Sequence, residues 1–166
     1  MQGDAPLLTV AQISATLAGF TSVLITLRGS SQQAWSSPDR FGLVNVLAAS
    51  SGTLFGSLLP FPLAYLGWSE EMVWGVTDAA VGALILGAIA FLIHGVIRAL
   101  VAPRAPRVFW SFVGSGFLVA AMLLLSAFDL LFPRGPALLL TALIWALLAA
   151  FAQLATFVLV TASAEP

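Results

Sequence analysis

The sequence predicts an all-α fold, a polytopic bundle of about five helices that cross a bilayer. Three observations carry this. Hydrophobic residues make up 60% of the 166-residue chain. Charged residues make up only 8%, where a soluble domain carries about a quarter. The mean hydropathy is +1.05. A surface so poor in charge is not solvated by water, which leaves lipid as the natural solvent.

A spanning helix needs about 20 mostly apolar residues, because each rises about 1.5 Å through a core about 30 Å thick. Five stretches meet this condition, at 7–27, 41–59, 76–101, 108–132 and 137–161. They are too long for strands and show no alternation. Pro60 and Pro62 are expected to stop the second stretch, and Pro133 the fourth. The segment 68–76 reads as a short interfacial helix ahead of the third. The connections are short and rich in Gly, Pro and Ser, so the chain is one transmembrane domain. No internal repeat is visible that would signal an inverted-repeat transporter. The start, Met1-Gln2-Gly3-Asp4, lacks a basic segment, so the first span is expected to be retained rather than cleaved.

Charge gives the expected orientation. All the basic residues are arginines, a bias that fits a high-GC bacterial genome. Arg28 and Arg40 flank the first loop, and Arg98, Arg104 and Arg107 the third. Both loops lie on one side of an alternating bundle. The other side has Arg134, with Glu70 and Glu71. The positive-inside bias then places the N-terminus outside and the C-terminus in the cytoplasm. Trp35 and Trp110 fall at the inner boundary, and Tyr65, Trp68 and Trp74 at the outer one, as an aromatic belt requires. Trp145 falls within the fifth span and outside that belt.

Several function classes are excluded or disfavoured. The absence of cysteine removes disulfides, thiolate catalysis and cysteine metal sites. A net charge of −1 gives no footprint for nucleic acid. No His-Glu-x-x-His, Gly-x-Ser-x-Gly or nucleotide-binding glycine loop occurs. The strings Ala49-Ser50-Ser51-Gly52 and Val113-Gly114-Ser115-Gly116 lack the first glycine of the Gly-x-Ser-Gly motif of rhomboid-type proteases. No enzymatic activity, catalytic residue, metal site or resident cofactor is therefore expected.

Small residues four apart suggest where helices approach closely. The stripes are Ala48, Gly52 and Gly56 in the second span, and Ala79, Ala83 and Gly87 in the third. Ala11, Ala15 and Gly19 form one in the first span, and Ala142, Ala146 and Ala150 one in the fifth. Packing within one bundle is the expected use, with an oligomer interface as the alternative.

Ionisable residues in a membrane are costly and mark candidate sites. Asp78, Asp129 and Arg134 fall on the outer side, as helix-end charges reaching the interface or as an entry site for protons or cations. Asn45, His94 and Gln153 fall at similar depth in the inner half, with Arg98 one turn below His94 and Ser22 and Thr26 within reach of the same group. A buried polar cluster that fixes helix register is expected there, with a proton relay or a haem or pigment ligand at His94 as alternatives.

Ala90-x-x-x-His94 resembles the Ala-x-x-x-His spacing of light-harvesting polypeptides, whose histidine ligates bacteriochlorophyll. From Leu17 to Gly67, the pattern Ala18-Gly19-Phe20, Arg28, Trp35, Asp39-Arg40, Ser50, Leu54-Phe55, Leu58-Leu59-Pro60 and Gly67 resembles small polytopic bacterial membrane proteins of unassigned function. That likeness covers two spans and their loop. It implies an inner-membrane location and brings no activity with it. The expected role is a structural or accessory subunit in a homo-oligomer or with a membrane-protein partner. The rival is a small channel or transporter with a pore between protomers.

Overall fold

A computed structural model describes residues 3–29, 37–99 and 107–162, with side chains for 3–27, 42–94 and 110–155. Among these residues the chain is a helical bundle without strands. Its helices are α1 (Asp4–Gly29), α2 (Ser37–Leu58), α3 (Pro60–Tyr65), α4 (Glu70–Ala99), α5 (Arg107–Ala127) and α6 (Pro136–Ala162). Five helical segments are long and apolar enough to cross a membrane, α2 and α3 together forming one of them.

Local chemistry explains the boundaries, and three differ from the sequence reading. Pro60 does not stop the second span. Leu59 keeps helical dihedrals, and its N–H donates to the Phe55 carbonyl at 2.9 Å. Pro60 then occupies the first position of α3, where a missing N–H does no harm. The chain turns only at Gly67, whose φ of +80° is open to a residue without a Cβ. Gly67 and Trp68 donate to the carbonyls of Ala64 and Leu63, a Schellman stop.

The second difference concerns the third span, which starts at Glu70 rather than Val76. The expected interfacial segment 68–76 is mostly the first turns of α4. Glu70 and Glu71 suit that position because the N-terminal end of the helix dipole favours negative charge. The third is the end of α5 at Ala127, short of the expected residue 132. Asp129 takes φ +57°. The Asp129 N–H donates to the Ser126 carbonyl and the Leu130 N–H to that of Leu125, at 2.9 Å each. Phe128, Leu130 and Leu131 are apolar but lie beyond this stop, exposed.

α1 packs on α2, α2 on α6, and α4 on α5, while α4 also touches α2 and α6, and α5 touches α6. The core holds Leu7, Leu17, Leu43, Val46, Leu123, Leu139 and Leu143. Trp74 joins it at 2% exposure, so it belongs to the packing and not to a boundary belt. Tyr65, at 94% exposure, Trp68 and Trp110 do face outward. Phe20, Phe55, Phe91, Phe117 and Phe151 are exposed around the bundle, the arrangement that an apolar solvent requires. Gly3 abuts Pro136, which puts the start of α1 beside the start of α6. The start of α1, the α3–α4 turn and the α5–α6 connection therefore share one end of the bundle.

Most buried hydroxyls among the described residues are satisfied within their own helix. Ser14, Thr21, Ser50, Thr53 and Thr77 each donate to the carbonyl four residues earlier. Small polar residues can thus line helix contacts without an orphaned donor.

Candidate functional site

The densest polar arrangement lies at the shared end, where α4, α5 and the start of α6 converge. Asp78 sits two turns into α4 and is fully buried. It is not the helix-end charge reaching for the interface that a later helix start would make it. Ser126, near the end of α5, donates to Asp78 Oδ2 at 2.7 Å. The other oxygen, Oδ1, is buried and accepts no hydrogen bond.

Arg134 reaches this group from the α5–α6 connection. It passes over Gly75, where an added Cβ would lie 3.3 Å from Arg134 Nε and 3.4 Å from the Ala127 carbonyl oxygen. Any larger residue at 75 would push the guanidinium away. Arg134 acts on Asp78 through its charge, without a direct ion pair. Its Nε is buried and donates to no partner. Two complementary orphans, an acceptor on Asp78 and a donor on Arg134, therefore lie in one region of the bundle.

An open cleft of about 630 Å³ adjoins them, lined by Ser69, Glu70, Glu71, Trp74, Arg134, Gly135 and Pro136. Glu70 and Glu71 are exposed along its α4 side. Asp129 does not join this group: it is exposed and serves as the helix stop.

Toward the opposite end of the bundle, Asn45 Nδ2 donates to Gln153 Oε1 and ties α2 to α6. This pairs two of the three inner residues singled out from the sequence. His94 stands apart, exposed and without a hydrogen bond among the described residues. Arg98 lies in α4 with its side chain outside the described set. Ser22 and Thr26 do not enter the cluster either. They are exposed and donate to their own helix, at Ala18 and Ser22.

Ser115 and Trp145 form a contact with no forerunner in the sequence reading. Trp145 Nε1 donates to Ser115 Oγ at 3.3 Å, linking α6 to α5. Gly116 makes room for the indole, since a Cβ there would meet Trp145 Cη2 at 2.9 Å. This explains a tryptophan within a span: its N–H has a partner inside the bundle.

The small-residue stripes divide. Gly56 is buried, and a Cβ there would meet Val81 at 2.8 Å and Leu143 at 3.0 Å. Gly52 and Gly87 have open space, and Ala48 and Ala83 are exposed. Ala79 is half-buried. The close approach on α4 uses Gly75 and Gly82 instead, seven apart, with Gly82 against Leu124 and the Ala120 carbonyl. In α1 Ala11 is buried, while Ala15 and Gly19 are exposed. In α6 Ala142 and Ala150 are buried and Ala146 half-buried. Gly75 and Gly82 were legible as an i, i+7 pair. Ser126, one serine among many, carried no signal of its own.

No cluster of three or more His, Asp or Glu side chains among the described residues is placed to hold a metal ion. Comparison with known proteins adds no assignment: no protein-family model, curated protein or solved structure matches the chain.

Proposed function

We propose that the protein is a non-enzymatic, multi-pass protein of a bacterial inner membrane, acting as a structural or accessory subunit of a membrane oligomer or complex. One observation carries this reading. Three side-chain hydrogen bonds among the described residues, Asn45 to Gln153, Ser126 to Asp78 and Trp145 to Ser115, each join a different pair of helices. Contacts of this kind fix helix register and give a bundle a defined outer shape for a partner to meet. The arginine asymmetry, with Arg28, Arg40, Arg98, Arg104 and Arg107 against Arg134, supports an N-terminus outside and a cytoplasmic C-terminus.

A second reading, a small channel or transporter, draws on Asp78. A fully buried carboxylate within a membrane-length helix, with one oxygen unbonded, is the kind of group that ion pathways use.

Purification in mild detergent separates the two, followed by partner identification, particle sizing and reconstitution into liposomes. The subunit reading expects a stable oligomer or partner complex and no ion flux. Flux that Asp78→Asn abolishes, with particle size and helicity unchanged, would overturn it in favour of the channel. A visible absorbance band lost in His94→Ala would instead bring in a pigment or haem.

A further inference from the structure

The cleft between the starts of α4 and α6 has a charge pattern that selects its occupant. Arg134 lines it from the α5–α6 connection, and Glu70 and Glu71 from the first turn of α4, together with Trp74. A simple anion drawn to Arg134 would meet two carboxylates, and a simple cation drawn to the glutamates would meet a guanidinium. A zwitterion satisfies both kinds of lining charge.

Arg134 itself points to a ligand. Its Nε is buried next to Gly75 without an acceptor, and its guanidinium makes no hydrogen bond to the described residues. Arg134 is half-buried and lines the cleft, and the geometry of a guanidinium suits phosphate oxygens. Asp78, buried behind it, offsets its charge without occupying its donors. The volume, about 630 Å³, falls within the range of small-molecule sites. The cleft lies at the ends of membrane-length helices, the depth of lipid headgroups.

We propose that this cleft binds a phosphoethanolamine group, with Arg134 on the phosphate and Glu70 and Glu71 on the primary ammonium. An ammonium offers three N–H donors to carboxylate acceptors, which a trimethylated amine lacks. The group is either the headgroup of a bilayer phospholipid or a free phosphoethanolamine ester. The site stands whether or not the protein is a subunit of a complex.

Native mass spectrometry of the delipidated protein tests this, with equimolar phosphatidylethanolamine and phosphatidylglycerol as probes. Wild type should retain phosphatidylethanolamine over phosphatidylglycerol by at least about fivefold, the scale of one charge-assisted contact. The exposed pair change Glu70→Gln with Glu71→Gln should remove that preference, while Arg134→Gln should lower retention of both lipids. Arg134→Lys, which keeps the charge, should restore part of it and shows that loss in Arg134→Gln is not misfolding. Equal retention of the two lipids by wild type would overturn the proposal, as would a preference that survives the double glutamine change. Soluble glycerophosphoethanolamine distinguishes the sources. Displacement of bound lipid supports a free ester as ligand, and failure to displace it supports a lipid held also by its acyl chains.

Discussion

Gly52 and Gly56 lie one turn apart on α2 and look alike in the sequence, yet they meet different surroundings. Gly56 is in contact range of Val81 and Leu143, while nothing stands near Gly52. Gly56→Leu should therefore overpack the α2–α4–α6 junction and cost about 1–3 kcal/mol or more. Gly52→Leu should leave thermal unfolding of the protomer in detergent unchanged. Equal destabilisation by both would contradict the packing described. Asn45 and Gln153 offer a second test at this scale. A double-mutant cycle with Asn45→Ala and Gln153→Ala should give a coupling of about 0.6–2 kcal/mol in unfolding, and additive effects would show that the bond contributes nothing. The polar residue types were legible because so few occur in the spans. Their pairing was not. Depth along a helix follows from counting residues, but the direction a side chain faces depends on rotation, which no single span reveals. His94 and Asn45 therefore read as neighbours at one depth, whereas Asn45 is buried against Gln153 and His94 is exposed.

Helix interiors were legible and helix ends were not. Hydropathy reports burial in lipid, so it located every long helix, but α5 stops by a backbone device in the middle of an apolar run. Asp129 occupies a left-handed conformation at that stop, which costs an L-residue about 1–2 kcal/mol relative to glycine, less for Asp. Asp129→Gly should leave stability unchanged or raise it by up to about 1 kcal/mol, and Asp129→Val should lower it, as thermal unfolding would show. Loss of stability in Asp129→Gly would mean that the carboxylate has a role beyond ending the helix. The start of α4 was missed for the converse reason: Glu70 and Glu71 lower the local hydropathy while stabilising a helix N-terminus.

At the scale of the molecule, the contact of Gly3 with Pro136 places the start of α1 beside the start of α6. The cleft with Arg134, Glu70 and Glu71 opens at the same end. This alternation matches the odd number of membrane-length helices. The side on which that end lies follows from the arginine counts, with Arg28, Arg40, Arg98 and Arg107 near helix ends and Arg104 between α4 and α5, against Arg134 at the cleft. A chain without native cysteine is well suited to settle it. Single cysteines at Ser69, in the cleft, and at Gln32, in the first loop, can be probed with a membrane-impermeant maleimide in intact cells and again after permeabilisation. The expected result is labelling of Ser69→Cys in intact cells, and of Gln32→Cys only after permeabilisation. The reverse pattern would contradict the orientation, and labelling of both in intact cells would contradict the crossing of a membrane between them.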